Sequence, residues 1–143
     1  MSQDYITKAA EIIKENSAQG EVGFGICTLS LIDEAGYPTA SIMMPSKSEG
    51  IHWITFGTML DENRAKRAAK CNRASVCFGT AEHCINLVGE IEIITTDNVK
   101  REMWYDGLSH HFTGPDDPNY CVLKFTTKRY KLFLDFQDIS GTL

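Results

Sequence analysis

The chain has 143 residues, 43% of them apolar and 23% charged, and carries a formal net charge of -5. That size suits one domain able to bury roughly two-thirds of its unfolded surface, so disulfide or metal staples are not needed. The acidic balance argues against general affinity for nucleic acid or anionic lipid, and no apolar run reaches the ~18 residues needed to cross a bilayer. With no basic-then-apolar leader at Met1–Asp4, the expected location is cytoplasmic.

Tyr5, Ile6, Ala9, Ile12 and Ile13 recur at helical spacing and predict an opening helix over Ser2–Asn16, with Gly20 beyond its end. Alternation then predicts a long strand, Val22–Ile32, with Gly23 and Gly25 marking a bend or a close approach. The Glu34–Pro38 turn leads to a second strand, Thr39–Met44, and the turn Ser46–Gly50 to a third, Ile51–Phe56, the three forming a meander. Asp61 begins a short helix with Ala65, Ala68 and Ala69 on its apolar face, and Ala74–Phe78 returns to strand.

The clearest alternation lies in His83–Thr95, where Ile85, Leu87, Gly89, Ile91 and Ile93 face inward against Asn86, Glu90 and Glu92. Asp97–Tyr105 reads as a helix stopped by Gly107, and a loop bearing His110, His111 and Phe112 closes through Pro115 and Pro118. Tyr120–Phe125 and Tyr130–Phe136 form a final hairpin around Thr127–Arg129. The expected fold is mainly β (α+β): six or seven antiparallel strands in a sheet curled into a small barrel, with short peripheral helices.

Five cysteines without a CxxC spacing indicate neither a disulfide framework nor a zinc site. His110 and His111 are adjacent, a spacing that rarely converges on one metal, and no metal site is expected. GxSxG and GxxxxGK[ST] are both absent, so neither a serine hydrolase nor a nucleotide-triphosphate loop is indicated. The sharpest local signal is cationic: Arg64, Lys66, Arg67, Lys70 and Arg73 fall within ten residues of an otherwise acidic chain. A solvated helix face explains such a run, as does a dimer rim facing Glu90 and Glu92. The preceding Thr55, Gly57 and Thr58, on a strand that runs into the helix, add hydroxyl and backbone donors suited to a phosphate.

In order along residues 4–136, several segments carry a likeness: Gly36-Tyr37-Pro38, Ile51–Phe56, the basic helix, Leu87–Glu92, Glu102-Met103-Trp104, and His111-Phe112 through Gly114, Asp117-Pro118 and Tyr120. On these the chain resembles the FMN-binding split-barrel proteins related to pyridoxamine 5'-phosphate oxidase, in particular their small bacterial general-stress branch. The resemblance implies one FMN-binding split-barrel domain over residues 1–143. It also implies a homodimer with FMN in two interfacial clefts, and redox chemistry in which the protein positions the flavin and electrons pass to a small organic acceptor. Carried over residue by residue, it sets Ser41, Ile42, Met43, Trp53, Ile54 and Thr55 along the ring and ribityl chain. Thr55, Thr58 and Arg64 fall at the phosphate, with Lys66 or Arg67 as compensating cations, and Trp104 and the His110–Phe112 loop, His111 included, reach the flavin from the partner subunit or cover its edge. The family pattern is broken at Thr39, where a basic residue is usual, and at Glu62, which replaces the serine of a Ser-x-Lys phosphate grip whose lysine is Arg64. Those two departures favour an alternative, a non-enzymatic barrel holding haem, a deazaflavin or no cofactor.

Overall fold

A computed structural model describes residues 2–21 and 25–143. Its elements are α1 (Ser2–Glu15), β1 (Cys27–Ile32), β2 (Pro38–Met43), β3 (Ser48–Glu49), β4 (Trp53–Met59), α2 (Asn63–Lys70), β5 (Arg73–Gly79), β6 (Cys84–Ile94), α3 (Asp97–Glu102), β7 (Tyr120–Leu134) and β8 (Gln137–Thr142). One sheet runs β2-β1-β5-β6-β7-β4-β3, with β8 paired to β7, and every pairing is antiparallel. This is the expected split-barrel α+β architecture, with eight strands rather than six or seven.

The barrel core gathers the inward residues of these strands, among them Leu29, Ile54, Phe56, Val76, Leu87, Leu123 and Phe125, all fully buried. Ala9 and Ile13 of α1 close one end of it, burying the stripe that helical spacing predicts. The inward set of β6 is also as expected, with Ile85, Leu87, Gly89 and Ile91 buried between exposed Asn86, Glu90 and Glu92. On α2, Ala65 and Ala68 are buried but Ala69 is exposed, because the helix meets the sheet along a narrower strip than three alanines.

Four local expectations are corrected. The first strand begins at Cys27, with Gly25 and Ile26 outside it, while Val22, Gly23 and Phe24 lie outside the described residues. The three-strand meander does not form: β2 pairs only with β1, and β4 pairs with β3 and β7. Helix α3 ends at Glu102, and the expected loop contains a 3₁₀ turn over Asp106–His110.

The largest correction concerns the C-terminal strands. Tyr120–Leu134 is one continuous strand with no turn at Thr127–Arg129. A register shift opposite Val88 and Gly89 absorbs Lys128 as an extra residue, and the Thr127 hydroxyl donates to the Ile51 carbonyl at 2.6 Å. The true hairpin turns at Asp135 and Phe136, both at positive φ (51° and 62°), as a two-residue primed turn requires. Phenylalanine is an unusual residue there, and its ring stays 87% exposed.

Candidate functional site

Alternation along β4 divides its side chains between two environments. Ile54 and Phe56 enter the barrel core, while Trp53, Thr55, Gly57 and Met59 face the opposite way with Tyr120 and Val122 of β7. Against that outer face packs the segment from α3 to residue 112, burying Met103, Leu108 and Phe112. Tyr120 anchors it: its hydroxyl donates to the Lys100 carbonyl at 2.9 Å, and Trp104 and Phe112 meet its ring at 5.4 and 5.1 Å. Lys100, itself buried, donates to the Asp117 carbonyl at 2.9 Å. Asp117 in turn accepts from the Thr113 and Asn119 amides, which holds its carboxyl below the usual carboxylate range.

Between this segment, β2 and the end of β4 opens a cleft of about 320 Å³. Its apolar surfaces come from Ile42, Met43, Met44, Met59, Leu108 and Phe112, and its floor from Gly57. A Cβ at Gly57 would lie 2.9 Å from a Leu108 methyl carbon and 3.3 Å from the Tyr120 ring, so glycine lets the segment approach β4 closely. Tyr105 also lines the cleft, and burial pushes its phenol up, keeping it a neutral hydrogen-bond donor.

The polar end is formed by Thr58, Glu62 and Arg64. The Thr58 hydroxyl donates to Glu62 Oε2 at 2.7 Å, and the Arg64 guanidinium pairs with Glu62 Oε1. Arg64 Nε is buried and has no hydrogen-bond partner among the described residues. Beyond this trio an adjoining hollow of about 200 Å³ is lined by Thr39, Ser41, Asn63 and Arg67, with Glu62 and Arg64 shared between the two. The Arg67 Nε donates to Glu34 at 3.3 Å.

Of the residues marked in the sequence, Ile42, Met43, Thr58, Arg64 and His111 line the cleft, and Ser41 lines the adjoining hollow. The others lie elsewhere. Ile54 is fully buried in the barrel core. Thr55 has no exposed surface, and its hydroxyl is engaged by Lys47 and Met103. Trp53 donates from its indole to Glu49 at 2.7 Å and lies under Lys124. Lys66 is an exposed residue of α2, and Trp104 packs on Tyr120 and Phe112, both outside the cleft lining. Phe112, in the loop expected at the flavin, also lines the cleft, whereas Met44, Met59, Tyr105, Gly107 and Leu108 line it without having been expected there. The aromatic loop is the available signal for Tyr105; the methionines carry none.

For the ring of a flavin mononucleotide the cleft would offer apolar side chains from Ile42, Met43, Leu108 and Phe112, with Tyr105 among its lining residues. At the phosphate end the suitable groups, Thr58 and Arg64, are present, with Glu62 between them.

A family model described as pyridoxamine 5'-phosphate oxidase matches residues 13–133. Among solved structures, a protein from Clostridium acetobutylicum related to general stress protein 26 of B. subtilis is 23% identical, with a TM-score of 0.84 over 100% of this chain and 97% of that one. General Stress Protein 26 from Bacillus anthracis is 18% identical, with a TM-score of 0.76 over 99% and 98% of the two chains. A heme binding protein from Mycobacterium smegmatis, 16% identical, gives 0.71 over 96% of this chain and 57% of that one. At such identities these likenesses speak for the fold alone. No curated protein matches the chain.

Proposed function

Because the chain belongs to the pyridoxamine 5'-phosphate oxidase family, we propose that it binds FMN in the cleft between β2, the end of β4 and residues 105–112, and passes electrons to a small organic acceptor. The observation that carries this reading is the division of the cleft into apolar walls, from Ile42 to Met44 and at Leu108 and Phe112, and a polar end at Thr58 and Arg64. A planar ring with an anionic tail needs that division. When bound, FMN supplies the redox chemistry. The chain's own residues exclude water from the ring faces, offer the Tyr105 hydroxyl to a polar ring edge, and set the polar group of Thr58, Glu62 and Arg64 at the tail.

In this reading the protein is a homodimer. Tyr37, 69% exposed, and Ile42, 60% exposed, belong to or adjoin the edge strand β2 beside the cleft, and a second copy laid there would cover both. Sedimentation of the flavin-loaded protein should give twice the chain mass; a species of 16.0 kDa would remove the dimer from the proposal. No described helix is long and apolar enough to cross a membrane, and a cytoplasmic protein is the companion proposal.

A second reading, a non-enzymatic barrel for haem or a deazaflavin, is favoured by Glu62, whose carboxylate already engages both Thr58 and Arg64. Titration with FMN and separately with haemin, followed by visible absorption, tests the two together. The expected result is a shift of the flavin bands, saturating at one FMN per chain, with a dissociation constant in the micromolar range or tighter, about -8 kcal/mol. An unshifted flavin spectrum beside a saturable haemin signal would transfer the cleft to the second reading.

A further inference from the structure

The three polar residues at the end of the cleft satisfy one another in a way that bears on which ligands the cleft can tell apart. Glu62 holds the N-cap position of α2, where a side-chain oxygen ordinarily accepts from the helix's free amides, yet it makes no capping bond. Its carboxylate turns instead to Thr58, which donates to Oε2 at 2.7 Å, and to Arg64, which pairs with Oε1. Each oxygen is thus held by one of the two groups best suited to a phosphate at this end of the cleft. Arg67, the other arginine at the adjoining hollow, is paired with Glu34. The guanidinium charge nearest the cleft is therefore already balanced from within the chain. The buried Arg64 Nε, unpartnered among the described residues, shows that the carboxylate does not use the whole donor capacity of the arginine.

We propose that Glu62 is the resident anion of this site: it occupies the donors a phosphate ester would use, so the cleft recognises its ligand by the planar ring and discriminates weakly between a phosphorylated and an unphosphorylated form. The proposal rests on the flavin reading for the identity of the ring, and on Thr58, Glu62 and Arg64 alone for the loss of phosphate selectivity. A dianion arriving at Arg64 must displace the carboxylate or sit beside it. In the first case it gains the arginine while leaving the Glu62 carboxylate with Thr58 alone and no countercharge, and in the second it meets like charge at close range. A neutral ribityl hydroxyl meets neither cost, because it can share the Arg64 donors or accept water. The specificity of the site is therefore set by a residue that repels, and removing its charge should create a preference that the native chain lacks.

The test compares FMN with riboflavin, by fluorescence titration, in the native chain and in Glu62→Gln and Glu62→Ser. The native protein should bind the two flavins within about threefold of each other, and both variants should favour FMN by about tenfold or more, the size of one charge-assisted hydrogen bond regained. Riboflavin affinity should change less than FMN affinity across the three proteins, and far-ultraviolet circular dichroism reports that the variants are folded. A native preference for FMN above about thirtyfold, unchanged in Glu62→Gln and Glu62→Ser, would overturn the proposal while leaving the flavin reading intact. A second measurement does not depend on flavin: the Arg64 Nε–H resonance is followed while inorganic phosphate is added. A saturable shift in Glu62→Gln and none in the native chain supports the resident anion, even if no flavin binds and the functional reading fails. The absence of a shift in both proteins overturns it.

Discussion

Gly89→Ala should cost the fold about 3 kcal/mol or more, at the upper end of what overpacking by a single methyl does. Gly89 sits in β6 at the point where its register with β7 shifts, Val88 facing Arg129 and Gly89 facing Thr127. A Cβ there would stand 2.0 Å from the Thr126 carbonyl oxygen, 2.9 Å from its carbon and 3.1 Å from the Lys128 amide nitrogen. All three are backbone atoms of the bulged strand, so no side chain can swing aside. The bulge must open, in the middle of the longest strand pairing of the sheet. Urea denaturation should show the midpoint falling with little change in slope. A loss below about 1 kcal/mol would mean that the β6–β7 bulge yields more easily than its contacts imply.

Phe56→Ala is the second large effect, expected at about 3–5 kcal/mol, the usual range for emptying a buried aromatic site. Phe56 has no exposed surface, lies opposite Leu123 in the middle of β4, and belongs to the barrel core. Its immediate neighbours Thr55 and Gly57 project to the other face, where Gly57 forms the cleft floor. The substitution therefore separates stability from binding. Equilibrium unfolding should show the full loss, while flavin affinity measured where the variant is still folded should change by only a few-fold, because Phe56 does not line the cleft. Phe56→Leu should recover most of the stability. A collapse of affinity in a folded variant would show that the cleft floor depends on core packing more than the alternation of β4 suggests.

Much of the barrel was readable because its strands are amphipathic at period two. Leu87 and Ile91 announce their burial by the polar residues between them, and Ala9 and Ile13 do the same at helical spacing. Tyr120–Leu134 departs from that pattern for a physical reason. A strand that crosses the sheet through a bulge interrupts its own alternation, and Thr127, Lys128 and Arg129 then look like a polar turn. The real turn, at Asp135 and Phe136, lacks the glycine or asparagine that positive φ usually selects, so nothing local marked it.

The candidate site shows the same division more sharply. Ile42, Met43, Thr58, Arg64 and His111 were marked by sequence and line the cleft, whereas Ile54 and Thr55 are turned into packed interiors. What the sequence determined by itself was local: the periodicity of its strands and helices, the concentration of cations after β4, and the presence of a carboxylate at position 62 among them. Only the tertiary structure decided that the end of β2 and the residue after it meet the 105–112 segment, where a Cβ on Gly107 would lie 3.9 Å from Met44 Cε, and that Glu62 faces Thr58 and Arg64 rather than capping its own helix. The reason is that periodicity fixes which face of an element is apolar, while the partner of that face, and the direction of a flexible carboxylate at a helix start, depend on groups distant in the chain and brought near only by packing.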